Sequence, residues 1–470
     1  LGSLTTHATP GILLGSPDLP PVRSAIHWIA LALVWLTVAS GAIVFTEPAP
    51  VDVLTMGLII ALPVVGLVSI RPALLLYLAV WLIAAAGAFI ATMHSYDVAR
   101  SAIHSGISVY LYAASFIFAA FVVRQPDLHS RLIMHAYLWA AFIAAVAGVV
   151  GYFGVVPGAQ QLFTKFGRAA GTFKDPNVYG PFLIPALLYA LHLTILRPAV
   201  RALFPALMLG FLMFAVLLSF SRGAWAALAI AVTVFGYLSF VTAGTNRHRL
   251  KLAVLAVLGG ATIVIGLMVA MQFDQISNLM SERASLAQNY DSGPEGRFGG
   301  HEKAKAVILD NPFGIGAQMF SERHHTEDVH HVYLAMFMNA GWLGGLVFIF
   351  MTAMTLLIGL RHAFRRTLTQ PLFLVVYAAF LAHAIEGFLI DIDHWRHYYL
   401  LMALIWGLVV GDRKPLSQMK REPRPVRILP TVLMMPPRRP ALVPHAATRP
   451  RPQHHPRPRH RAGLRTKAVA

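Results

Sequence analysis

The chain has 470 residues, is 57% hydrophobic and 12% charged, carries a formal net charge of +18, and has a mean hydropathy of +0.63. Soluble domains carry about twice that share of charge, which excludes a water-soluble globular enzyme, a disordered chain, a collagen and a coiled coil. The absence of cysteine removes disulfide scaffolds, zinc fingers, iron–sulfur clusters and thiol catalysis. An all-α polytopic membrane protein is the class that remains.

Residues 1–24 contain Pro10, Pro17, Pro20 and Pro21, with no basic stretch followed by an apolar one, so they read as a cytoplasmic segment rather than a cleavable signal. A hydrocarbon core about 30 Å thick needs about 20 apolar residues in a helix. Roughly twelve segments are expected to span: 25–45, 53–70, 73–93, 103–123, 132–153, 178–196, 202–219, 223–242, 250–271, 341–360, 371–390 and 397–411. Nine therefore fall in 25–271 and three in 331–411, on either side of a long loop at 272–330. The short connections within 53–93 and 202–242 predict tight helical hairpins. Within the loop, Glu302 to Leu309 has helical character and is expected to lie along the membrane surface.

Charge sets the orientation. The even-numbered connections carry eleven basic residues against one acid, Asp127, whereas the long odd-numbered loop has nine acids and five bases. The positive-inside rule then puts even connections and both ends of the chain in the cytoplasm. Residues 412–470 hold 15 Lys/Arg, two acids and 12 prolines, the composition of a disordered cytoplasmic tail. Such a tail reinforces topology or adheres to anionic headgroups of membrane lipids. No folded module accompanies its charge, so nucleic acid is not an expected partner.

On the outer face four patches carry polar chemistry: Gly167 to Asn177, Ser219 to Gly223, the long loop, and Asp391 to Arg396. Arg222 lies between two apolar runs, at a depth where a planar guanidinium suits a headgroup-level phosphate. The stretch Asn311-Pro312-Phe313-Gly314-Ile315-Gly316 is turn chemistry, whose glycines offer backbone N–H groups to an anion only as a weak signal. Glu327 and Asp328 stand four and three residues before His331, so either pair would share a face if the segment were helical. There is no His-Glu-x-x-His, and a metal is not assigned. His330 opens a run leading to Gly341, Gly344 and Gly345, glycines that permit close helix packing. His383 and Glu386, three apart and deep in one span, read as a packing pair, and Asp393 and Arg396, also three apart, as a bracing ion pair.

These elements resemble the O-antigen ligase and O-antigen polymerase superfamily. The resemblance rests on Gly171-Thr172-Phe173-Lys174-Asp175-Pro176-Asn177, Ser219 to Gly223, Gly296-Arg297, Asp310 to Gly316, and His330 to Gly344, in that order. One departure is His331, where the family often has Asn. The resemblance implies a glycosyltransferase of the bacterial inner membrane with its active site facing the periplasm. Its donor would be a glycan on undecaprenyl pyrophosphate. Its acceptor would be lipid A–core for a ligase, the favoured reading, or another lipid-linked repeat unit for a polymerase. His330 would act as general base, near its working pH, and Arg222 and Arg297 would stabilise charge on the departing pyrophosphate. Arg168 and Lys174 would contact the donor. Arginines doing the charge work leave no need for a metal or cofactor, and one displacement inverts the anomeric carbon. A transporter or lipid-linked glycan flippase would instead centre its cavity at mid-membrane, around Glu386, and a metal-dependent hydrolase would lose activity to a chelator.

Overall fold

The computed structural model describes residues 21–272 and 296–412. The N-terminal segment, the first part of the long loop and the basic tail lie outside these residues.

The described residues are 77% helix, in 15 helices. In chain order they are α1 (Pro21–Ser40), α2 (Pro50–Val64), α3 (Pro72–Met93), α4 (Val98–Arg124), α5 (Pro126–Tyr152), α6 (Ala159–Phe163), α7 (Pro176–Leu196), α8 (Ala199–Leu218), α9 (Arg222–Thr242), α10 (Asn246–Ala270), α11 (Arg297–Asp310), α12 (Phe320–Arg323), α13 (Val332–Ala363), α14 (Gln370–Glu386) and α15 (Arg396–Gly411). A two-residue antiparallel pair, β1 (Thr164–Lys165) and β2 (Arg168–Ala169), follows α6. Phe166 and Gly167 between its strands both have positive φ, 55° and 69°, the backbone a two-residue hairpin needs.

Among the described residues, seven helices are long and apolar enough to cross a membrane: α3, α4, α5, α7, α8, α9 and α13. Four of the expected spans, in α1, α2, α14 and α15, are shorter apolar helices. The 15 residues of α2 rise only about 22 Å. Pro at the first turn starts α2, α3, α5 and α7, where its missing N–H costs nothing.

Burial separates a centre from a rim. α7 and α14 are buried over most of their length, while α2, α3, α8 and α10 leave Leu, Ile, Val and Met side chains exposed. At the centre, Trp81 stacks on Tyr112 with ring centroids 4.3 Å apart. Helices approach closely where side chains are small: a Cβ on Gly87 of α3 would sit 2.5 Å from the Ala340 carbonyl of α13.

The two expected hairpins do not form as packed pairs. α2 packs on α1 and α4, α8 on α7 and α5, and α9 on α14 and α7. For α8 and α9 the reason is α7: a Cβ on its Gly180 would lie 2.6 Å from Ala224 Cβ and 2.9 Å from Ser219 Oγ, so α7 occupies the groove between them.

The odd-numbered connections gather at one end of the bundle. Val44 N donates to Thr172 O at 3.1 Å, Arg168 Nε to Ser219 O at 2.8 Å, and Ala317 N to Ser101 Oγ at 3.0 Å. Lys174 meets Glu47 at 3.2 Å, and His330 meets Asp391 at 3.9 Å. At the other end, Ser69 N donates to Ala120 O at 2.9 Å and Lys251 Nζ to Arg197 O at 3.1 Å. Successive helices thus run in opposite directions, as the charge alternation requires.

Candidate functional site

Ser219 to Gly223 is a two-serine turn. Ser219 Oγ donates to the Val216 carbonyl at 2.6 Å and accepts from Ser221 N at 3.3 Å, closing α8. Phe220, buried and at φ 46°, turns the chain. Ser221 then caps α9, its Oγ accepting from Ala224 N at 3.3 Å. Arg222 is therefore the first residue of α9. Arg297 is likewise the first residue of α11, after the cap Gly296; its side chain lies outside the described residues. Both arginines sit at the positive end of a helix dipole, where a cation is disfavoured by about 0.3–1 kcal/mol and an anion favoured.

The last turn of α14 gathers these pieces. A Cβ on Gly223 would lie 3.3 Å from Glu386 Oε1. Val332 N donates to Gly387 O at 2.9 Å, and Tyr333 OH to Ala384 O at 2.6 Å. The residues flanking Arg222 and His330 thus meet the same four-residue stretch, Ala384–Gly387. His301, one turn after Arg297, packs its ring against His331 with centroids 5.3 Å apart, which brings the start of α11 to the same place. Glu386 itself pairs with His383 at 3.3 Å, both buried, the internal pair expected for them.

His330 is half-buried. Its Nδ1 lies 3.9 Å from Asp391 Oδ2 and its Nε2 3.9 Å from Glu327 Oε2. Sequence reasoning placed Asp391 in a polar patch without assigning it a role; 61 positions separate it from His330, and only the tertiary fold joins them. His331 caps α13, with Nδ1 accepting from Leu334 N at 3.3 Å. An Asn side chain performs that same capping task, so the family's residue and this one are physically interchangeable here. Residues 324–331 are not helical, so Glu327 or Asp328 and His331 do not share a helix face.

The glycine-rich stretch is an interlock. Gly314 N and Ile315 N donate to Asn311 O and Met338 O, both at 2.9 Å, so these amides are not presented to an anion. α13 breaks where the loop meets it: Gly341 has φ 65° and ψ −177°, and Trp342 N donates to Pro312 O at 2.9 Å. The piece of α13 before Ala340 is the short helix that His331 caps. Gly344 faces α3, whereas Gly341 faces the Pro312–Phe313 backbone rather than another helix.

Arg168 is buried. Besides the Ser219 carbonyl, it donates to Asn177 Oδ1 at 2.7 Å, tying the Gly171–Asn177 element to the turn that carries Arg222. Asp175 caps α7 through Asn177 N at 2.7 Å. Gly171, at φ 56°, is pressed against Tyr179 and the Ala144 carbonyl.

Beside this cluster lies a cavity of about 360 Å³, lined by Glu47, Lys174, Asp391, Asp393, Arg396 and the rings of Phe173, Phe182 and Trp395, among others. Its lining includes Lys174 and the Asp391 partner of His330; it includes neither Glu386 nor Arg222, Arg168 or His330. Arg396 does not pair with Asp393. It grips Asp52 with two donors, Nε at 2.6 Å and an NH2 group at 2.8 Å, and reaches Glu47 at 3.8 Å. An i,i+3 pair needs both residues on one helix, and Asp393 precedes the start of α15. Asp393 instead faces His104 at 3.5 Å. Burial holds neighbouring His394 neutral, lowering its pKa to about 4 against the opposing pull of Asp393.

No curated protein matches the chain. Residues 206–349 match the family model described as O-antigen ligase. That stretch runs from α8 to the middle of α13 and holds Arg222, Arg297, His330 and the Gly341–Gly344 pair, leaving Arg168 and Lys174 outside it. This is a helical membrane protein, and its stretch from α8 to the middle of α13 is similar to the O-antigen ligase family.

Proposed function

We propose that the protein is a glycosyltransferase of O-antigen ligase type, moving a glycan from undecaprenyl pyrophosphate to a hydroxyl of lipid A–core at the periplasmic face of the bacterial inner membrane. The observation that carries this reading is the meeting of the α9, α11 and α13 N-termini, bearing Arg222, Arg297 and His330, around the last turn of α14. Two cations on two positive helix ends are stable together when an anion with several oxygens lies between them. A diphosphate is such an anion.

In the step itself, the acceptor O–H proton passes to the His330 imidazole as the acceptor oxygen bonds to the anomeric carbon. The bond from that carbon to the phosphate oxygen breaks, and its electron pair leaves on undecaprenyl pyrophosphate. Arg222 and Arg297 stabilise that charge in the oxocarbenium-like transition state. Asp391 orients the ring and stabilises it once protonated. Arg168 contributes through Ser219, fixing the turn that aims Arg222, and Lys174 contacts substrate from the cavity wall. One displacement inverts the anomeric centre, and no metal or cofactor takes part in it.

The test is complementation of a null strain with His330→Ala, read on lipopolysaccharide and exopolysaccharide gels. The variant is expected to lose about 10²–10⁴ of the wild-type rate, with the protein still present in the membrane. Normal ladders from it refute the general-base assignment. Uncapped lipid A–core in the null strain identifies a ligase. Single capped repeats, or a lost exopolysaccharide, identify a polymerase.

A further inference from the structure

We propose that His104, Asp393 and His394 form a binding site for a divalent transition-metal cation of the zinc type, opening on the cavity. His104 comes from α4, and the other two from the connection between α14 and α15. One ligand atom from each residue lies within 4.8 Å of the others. His104 Nε2 and Asp393 Oδ2 are 3.5 Å apart. Two ligands on a tetrahedral metal with bonds of about 2.1 Å are separated by about 3.4 Å, so this edge already has the right length.

The second imidazole is oriented from behind. Ser108 Oγ donates to the His104 carbonyl at 3.2 Å and lies 3.0 Å from His394 Nε2. A hydroxyl whose proton goes to that carbonyl accepts from Nε2–H, which leaves Nδ1 of His394 as the ring's lone pair. Fixing the tautomer of a ligating histidine through its other nitrogen is a recurrent feature of metal sites. The His104 and His394 rings stack with centroids 3.8 Å apart, and the His104 ring turns out of this stack to bring its lone pair and that of His394 onto one ion.

The nearby cations do not oppose occupancy, because each has its own carboxylate: Lys174 has Glu47, and Arg396 has Asp52. Two imidazoles and one carboxylate suit zinc, cobalt or nickel better than magnesium or calcium, which prefer oxygen. All three residues line the cavity, so a fourth ligand position faces the space a substrate oxygen would enter. The inference stands apart from glycosyl transfer by His330, whose chemistry calls for no metal.

The experiment uses the purified full chain in detergent, stripped with a chelator and titrated with Zn²⁺ and with Co²⁺. One saturable equivalent is expected, with a tetrahedral cobalt absorption band and a zinc-dependent rise in melting temperature. His104→Gln and Asp393→Asn are each expected to weaken that binding at least tenfold and to abolish the melting shift. A variant carrying both His324→Gln and His325→Gln is expected to keep it. Absence of saturable binding in the wild type overturns the proposal, as does binding of unchanged affinity in Asp393→Asn. An octahedral cobalt spectrum in the wild type also overturns it, independently of how any variant folds.

Discussion

Replacing Gly341 with Ala tests the interlock that aims His330. The residue sits at φ 65° and ψ −177°, a region occupied almost only by glycine, which costs another residue about 1–3 kcal/mol. The added Cβ would also lie 2.8 Å from the carbonyl carbon and oxygen of Phe313 and 3.0 Å from Pro312 O, all backbone atoms that cannot rotate away. Overpacking of that kind adds about 1–3 kcal/mol, for a total of about 2–6 kcal/mol. At about 1–2 °C per kcal/mol for a chain of this size, melting falls by about 2–12 °C. Function is expected to fall further than stability. The helical piece from Val332 to Asn339 is about 12 Å long, so a 20° change in the kink moves its His331 end by about 4 Å, and catalytic misplacement of even 1 Å can cost about 100-fold. The assays are thermal unfolding in detergent and complementation, with Gly57→Ala as the control. Gly57 lies in α2 with nothing within 4 Å of its would-be Cβ, and alanine there is expected to be neutral or stabilising by up to about 1 kcal/mol. Gly314→Ala should be non-additive with Gly341→Ala, because its Cβ would strike Met338 O and Gly341 N of the same contact. Wild-type melting and activity in Gly341→Ala refute the account.

Asp391→Asn keeps the shape and removes the charge beside His330; the 3.9 Å pair is partly exposed and worth about 0.2–1 kcal/mol, so the rate should drop by no more than about fivefold, and a loss as deep as that of His330→Ala would show Asp391 to be a base in its own right. Arg222→Lys retains the charge but not the fork, and is expected to lower the rate at least tenfold in an in vitro transfer assay while leaving melting unchanged; full activity would remove the bidentate phosphate contact. Arg396→Met strands Asp52, whose carboxylate is buried, and is expected to destabilise by about 3–5 kcal/mol; Asp52→Leu combined with Arg396→Met should recover most of the loss in thermal melts, and an equal loss in the double variant would mean the pair is not the source.

What the sequence disclosed follows from the range of the interactions involved. Apolar runs and loop charge are local, and each expected span overlaps a helix, with the odd connections gathered at one end. The ordered motifs located Arg222, Arg297 and His330 for the same reason: each sits at a helix start, punctuated by serine, glycine or histidine caps. Packing partners were illegible. α8 and α9 are adjacent in sequence yet separated by α7, because Gly180 offers a closer approach than either neighbour does. The Asp393–Arg396 pairing failed similarly: three positions mean contact only inside a helix, and Arg396 found Asp52, 344 positions away. Asp52 was nonetheless an acid at the edge of an apolar run, a signal that a buried cation would be needed somewhere. His104 and His394 left no pattern at all, since 290 positions separate them.

The motifs divide into two kinds of work, and the division explains their residue types. Gly171–Asn177, the Ser219–Ser221 turn and the Gly314–Gly341 contact are built from glycine, serine and capping acids, whose hydrogen bonds are made within the protein. They clamp distant backbone segments together: the Arg168 side chain holds the Ser219 carbonyl, and backbone bonds join Val44 to Thr172 and Ile315 to Met338. Arg222 and Arg297 each follow directly on a cap, and His330 directly precedes one. The side chains proposed to react are therefore carried at helix starts whose directions are fixed by loops rather than by helix–helix packing. In a membrane this matters, because apolar helix faces slide against lipid and each other with little energetic penalty, whereas a backbone hydrogen bond at low dielectric is costly to leave unmade. On the proposed function, precision at the site comes from the polar knots at one end of the bundle, so substitutions in the knots should impair turnover more than equal-sized substitutions in the lipid-facing helices.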